Sequence, residues 1–113
     1  MTKIKFFKRQ DNFIGFECSG HTGYAESGKD ILCAALSGMT QSCMMGLKNI
    51  LKINILVNRK DDEGYLKIEL PKKIDEDKLI SSQVLLDTLY VSIEDLIDGY
   101  SKYISMEVIE NDY

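Results

Sequence analysis

The sequence predicts an α+β fold of order ββαββαβ, with a mostly antiparallel sheet and two helices packed on one face. Three observations predict it. Strand-like alternation recurs in five short runs, short polar turns join two pairs of them, and two long segments carry apolar residues at spacings of three and four.

The elements follow in order. Thr2, Ile4 and Phe6 alternate with Lys3, Lys5 and Phe7. After the polar turn Arg9-Gln10-Asp11-Asn12, Ile14, Phe16 and Cys18 share a face, so the two runs form a hairpin. Residues 19–30 contain Gly20, Gly23 and Gly28, show little periodicity and read as a loop. Leu32, Leu36, Met39, Cys43, Leu47 and Ile50 then make one helical stripe, with Asp30 at the capping position. Ile53, Ile55 and Val57 mark a third strand, and Leu66, Ile68 and Leu70 a fourth. Asp61-Asp62-Glu63-Gly64 joins them as a second hairpin. The second helix, over residues 75–97, has the stripe Leu79, Ser82, Leu86, Leu89, Ile93 and Leu96, with Gly99 as its stop. A last strand over residues 103–109 puts Ile104, Met106 and Val108 on one face.

A chain of 113 residues suits one domain spanning 1–113. Its net charge of −4 argues against direct contact with nucleic acid through phosphates. No window reaches the length of a membrane-spanning helix, and residues 1–8 lack the apolar core of a signal peptide. Three cysteines, an odd number, do not read as a disulfide framework and suit a reducing cytoplasm. The single histidine, His21, is the one imidazole available to any acid–base chemistry.

Three readings compete over residues 20–37. Gly23-x-x-x-x-Gly28-Lys29 matches most of a phosphate loop, but Asp30 stands where a magnesium-binding hydroxyl belongs, and Glu26 adds a second negative charge. Cys18, His21 and Cys33 offer three metal ligands, whereas structural zinc takes four, so no metal is expected. The third reading is a Cys–His pair. With Asp30 as the cap, Cys33 is the third helical residue, where unpaired amides and the helix dipole favour a thiolate. Cys43 lies on the apolar stripe and reads as a packed thiol, and Cys18 shares a face with Ile14 and Phe16. The ends of the loop meet if the second strand packs beside the helix, so His21 and Cys33 can converge, and Ser37 follows Cys33 by one turn. Asp30 either orients His21 or simply caps the helix. Composition alone favours Cys33 as a small, packed, inert residue.

The stretch Gly20-His21-Thr22-Gly23-Tyr24-Ala25, then Gly28-x-Asp30-Ile31-Leu32-Cys33-Ala34-Ala35-Leu36-Ser37, then Thr40-Gln41, resembles the ribosomal-processing cysteine protease family, Prp, also called the YsxB family. The resemblance runs through essentially the whole chain. It implies a cytoplasmic, homodimeric cysteine endopeptidase without a cofactor. Its substrate would be the short N-terminal extension of large-subunit ribosomal protein twenty-seven, cut after an apolar segment that ends in an aromatic pair. By position, the resemblance makes His21 the general base, Cys33 the nucleophile and Ser37 a supporting residue, and it includes Asp30 with no assigned role. We expect Gly20, Gly23, Tyr24 and Gly28 to form a substrate loop, and first-turn amides around Cys33 to stabilise the oxyanion. Two other readings use the same residues: a non-catalytic ribosome-assembly or peptide-binding factor, and a redox protein with one reactive thiol.

Overall fold

The computed structural model describes residues 1–26 and 28–110. Ser27, within the predicted loop, and residues 111–113, at the end of the predicted domain, lie outside the described residues. The strands are β1 (Thr2–Arg9), β2 (Asn12–Ser19), β3 (Leu56–Lys60), β4 (Tyr65–Glu69) and β5 (Ile104–Glu110). The helices are α1 (Ile31–Met45), which runs into a π-helical turn at Gly46–Ile50, and α2 (Glu76–Tyr100). The order is the predicted ββαββαβ.

The sheet runs β3-β4-β2-β1-β5. Three of its four pairings are antiparallel, and β5 lies parallel to β1. The parallel edge follows from connectivity, because α2 carries the chain across the sheet between β4 and β5. Register places Phe6, Phe16 and Ile68 side by side, and likewise Ile4, Cys18 and Leu66. Those residues form the floor of the core, against which the helices bury Leu32, Leu36, Cys43, Leu86, Leu89 and Ile93. The other face carries Lys3, Lys5, Glu17, Lys67 and Glu69, which no helix covers.

Four sequence expectations need correction. Ile14 was expected beside Phe16 in the core, but Phe13 takes that place, at 5% exposure. A bulge sets Phe7 opposite Gly15 and Lys8 opposite Phe13, so Ile14 is the extra residue. Phe13 then packs on Phe6 and Tyr90, with ring centroids 5.1 and 5.3 Å away. Ile50, expected on the helical stripe, is 78% exposed. The wide turn at Gly46–Ile50 breaks the 3.6-residue phase after Leu47.

The third strand starts at Leu56 rather than Ile53. Lys52 adopts a left-handed φ of 56°, and Ile53 plugs the core from this turn. Val57, on a sheet edge beyond the reach of the helices, is 46% exposed. Gly99 does not stop the second helix, which continues to Tyr100 with Ser101 as its cap. Gly99 is exposed and crowds nothing, so nothing there forces the chain out of the helix.

Candidate active site

The site is assembled where β2 leaves the sheet. Cys18, near the end of β2, pairs with Leu66 on β4, and the chain then enters the loop through Gly20. Gly20 has a φ of 89°, and a Cβ there would sit 2.7 Å from the Met1 carbonyl oxygen, so only glycine makes this exit. Thr2 fastens it by donating its hydroxyl to the Gly20 carbonyl at 3.1 Å.

At the other end of the loop, Asp30 caps α1 as the sequence predicts. Its Oδ1 accepts the Cys33 amide at 2.9 Å. Its Oδ2 accepts the Thr22 hydroxyl and the amides of Tyr24 and Ala25 at 3.1 and 3.3 Å. Desolvation pushes the Asp30 carboxyl up, but the bonds from Thr22, Cys33, Ala25 and Tyr24 together hold it below the usual aspartate range. The carboxylate is thus committed to the loop and the helix, and among the described residues it makes no hydrogen bond to His21. The same bond takes the Cys33 amide out of the expected set of oxyanion donors. It also sets a carboxylate at the helix N-terminus where a phosphate would sit, which weighs against the phosphate-loop reading.

His21, Cys33 and Ser37 line one cleft of about 340 Å³ between the first turns of α1 and the β3–β4 turn. Thr40 and Gln41 continue its α1 wall, Cys18 and Leu66 lie on its sheet side, and Arg59, Asp61, Gly64 and Tyr65 come from the second hairpin. The volume is in the range of ligand sites. His21 and Ser37 are exposed and Cys33 is half-buried. Among the described residues no hydrogen bond joins His21 to Cys33; in catalytic pairs such contacts commonly tighten only when substrate arrives. A second cleft, of about 320 Å³, lies at the opposite ends of the strands around Phe7, Ile14 and Pro71, and no cysteine, histidine or serine lines it.

The remaining loop residues lie elsewhere. Gly23 and Gly28 hold positive φ values of 73° and 85°. Tyr24 packs edge-on against Tyr100 and Tyr103, with centroids 5.6 and 5.3 Å away, and is not among the residues lining the cleft. Among the described residues no group of three or more histidine, cysteine or acidic side chains is arranged to hold a metal ion.

Cys18 and Cys43 are thiols shifted by their surroundings. Burial pushes Cys43 up to about 12. Burial, and then the Glu17 charge, do the same for Cys18. Tyr65 is also pushed up to about 12, first by donating its hydroxyl to Glu17 at 2.6 Å, then by burial and the charges of Glu17 and Glu69.

Sequence reasoning missed the hairpin wall. Gly64 was legible as a turn residue, but its place beside His21 depends on β4 pairing with β2, and no local pattern reports that pairing.

A family model described as cysteine protease Prp matches residues 1–105. The ribosomal processing cysteine protease Prp of Bacillus subtilis is 26% identical over 87 residues, which cover 77% of this chain and 78% of its own. A Streptococcus mutans crystal structure superposes with a TM-score of 0.84 at 24% identity, covering 98% of this chain and 96% of the other. The S. aureus ribosomal processing protease Prp, in complex with a covalently linked product peptide, gives 0.85 at 19% identity, covering 96% and 100%. The same protease with a substrate peptide gives 0.80 at 18% identity, over the same shares of each chain. The structural likenesses speak to the fold, a five-stranded mixed sheet with two helices.

Proposed function

The chain belongs to the cysteine protease Prp family, and from that premise we propose that Cys33 is its nucleophile and His21 its general base. The observation that carries the assignment is the shared cleft: the single imidazole of the chain and the thiol of the first turn of α1 line it together. Cys43 is buried and Cys18 is held protonated, so Cys33 is the thiol suited to react.

The mechanism uses those two groups. His21 takes the thiol proton, and the sulfur attacks the scissile carbonyl to form a C–S bond. The tetrahedral intermediate collapses as His21 protonates the departing amine. Water then attacks the thioester, with His21 as base, and frees Cys33. Ser37, one turn beyond Cys33 on the same wall, supports the intermediate through its hydroxyl, since the Cys33 amide is engaged by Asp30. Asp30 acts by joining the loop to the helix. Of the loop expected to meet substrate, Gly20 lines the cleft beside His21 and would touch the bound peptide, whereas Gly23, Tyr24 and Gly28 lie away from it and act only by shaping the loop.

The substrate we propose is the N-terminal extension of large-subunit ribosomal protein twenty-seven, cut after an apolar segment ending in two aromatics. The family relationship supports this reading, as do the peptide complexes of the S. aureus protease. We place the activity in the cytoplasm and in a homodimer. None of the helices is long and apolar enough to cross a membrane among the described residues. Mass spectrometry of a synthetic extension peptide tests the specificity: cleavage after the aromatic pair is expected, and loss when both aromatics become serine. Equal cleavage of the two peptides contradicts it. Sedimentation equilibrium tests the dimer, which requires twice the chain mass.

A further inference from the structure

We propose that Gly64, at the turn between β3 and β4, is a positioning residue for the His21 imidazole. The inference rests on the assignment of His21 as general base. Gly64 lies outside the glycine-rich loop, more than forty residues from His21 in sequence.

His21 is an exposed side chain on a loop, so the packing of its ring needs a cause. A Cβ built on Gly64 would lie 3.0 Å from His21 Cε1 and 3.1 Å from Nδ1. It would also lie 2.9 Å from the Gly20 carbonyl oxygen. Each distance is shorter than ordinary van der Waals contact, so the turn backbone and the ring edge are in direct apposition. The Gly20 carbonyl is tied to Thr2 and cannot yield easily. A side chain at position 64 would therefore displace the ring. The Nδ1–Cε1 edge rests on the turn, which leaves Nε2 for proton exchange with Cys33.

Backbone strain alone does not account for the glycine. Gly64 has a φ of 61°, a left-handed value that asparagine also adopts in many turns. The Gly20 carbonyl oxygen at 2.9 Å and the His21 ring edge at 3.0 Å together leave no room for a Cβ, and of the two it is the exposed ring that can move. The hairpin thus does more than close the sheet edge: it forms the back wall against which the general base is set, and a displacement of about 1 Å in such a group is enough to slow catalysis severely.

The test uses Gly64→Asn, which keeps the left-handed turn but adds a Cβ, with Gly64→Ala as a second variant. Because the chain has one histidine, its ring resonances in proton–nitrogen spectra are assigned without ambiguity. We expect Gly64→Asn to stay folded, to shift the His21 ring signals, and to lose kcat by about tenfold or more with KM nearly unchanged. Parent-like kcat with unshifted ring signals overturns the proposal. If neither variant folds, a nuclear Overhauser contact between His21 Hε1 and Gly64 Hα in the parent supports it, and its absence overturns it. A His21→Ala variant run in parallel separates the two layers. Full activity in His21→Ala sinks the general-base assignment, whereas an inactive His21→Ala beside a fully active Gly64→Asn sinks only the role of Gly64.

Discussion

Asp30 accepts the Cys33 amide at 2.9 Å with one carboxylate oxygen and the hydroxyl of Thr22, the neighbour of His21, with the other. One side chain therefore ties the loop that carries the imidazole to the turn that carries the thiol. Thr22 is 2% exposed, so the loop end of this tie is packed, while Asp30 itself is half-buried.

That tie is pH-sensitive. Asp30 is held below its ordinary value of 3.8, so its contribution is complete well above that value and is lost as the pH falls through the depressed folded value. Thermal unfolding of the parent and of Asp30→Asn, followed from pH 7 downwards, should give a lower midpoint for the variant at neutral pH. The two curves should converge in acid. Parallel curves at every pH would show that the charge of Asp30 contributes nothing.

Thiol chemistry should single out Cys33. Burial pushes Cys18 and Cys43 up to about 12, so neither forms thiolate near neutrality. Brief iodoacetamide treatment at pH 7.5 followed by peptide mapping should place the adduct on residue 33, and Cys33→Ala should stay unlabelled. Labelling of residue 18 at a comparable rate would contradict the burial argument.

The bulge in β2 is clamped by α2. Gln83 accepts the Phe13 amide at 2.7 Å and donates to the Phe13 carbonyl at 2.9 Å. Gln83→Leu strips both bonds and should cost about 1–3 kcal/mol in urea unfolding. This clamp lies at the strand ends away from His21, so peptide cleavage should be unchanged. A loss of cleavage without a loss of stability would mean that the two ends of the sheet are coupled.

The π-helical turn gives a contrasting pair. Leu47 is fully buried, and Leu47→Ala should cost about 2–5 kcal/mol. Ile50, although it continues the same apolar spacing, is 78% exposed, and Ile50→Ala should stay within about 0.5 kcal/mol of the parent. Equal costs would restore Ile50 to the core stripe.

These corrections mark where sequence reasoning stops. Phe6, Phe16, Leu32, Leu36, Leu86 and Ile93 were legible because burial on one face of a regular element leaves a period in the sequence. Asp30 was legible as a cap because its chemistry is local. Ile14 and Ile50 were misread, and Phe13 was passed over, because a bulge or a wide turn shifts phase without changing composition. His21, Cys33 and Ser37 were marked by their types and their place in the chain. The hairpin wall at Gly64 and Tyr65 was not, since strand pairing across some fifty residues brings it to the site. The single use of Asp30, as a staple rather than a partner of His21, depends on which donors surround it, and spacing does not report that.

The most direct test is the rate at which the parent, Cys33→Ala and His21→Ala cleave the same aromatic-terminated extension peptide, with far-ultraviolet circular dichroism confirming that each is folded. The account predicts turnover by the parent and none detectable from either variant. Cleavage by folded Cys33→Ala at the parent rate would contradict it.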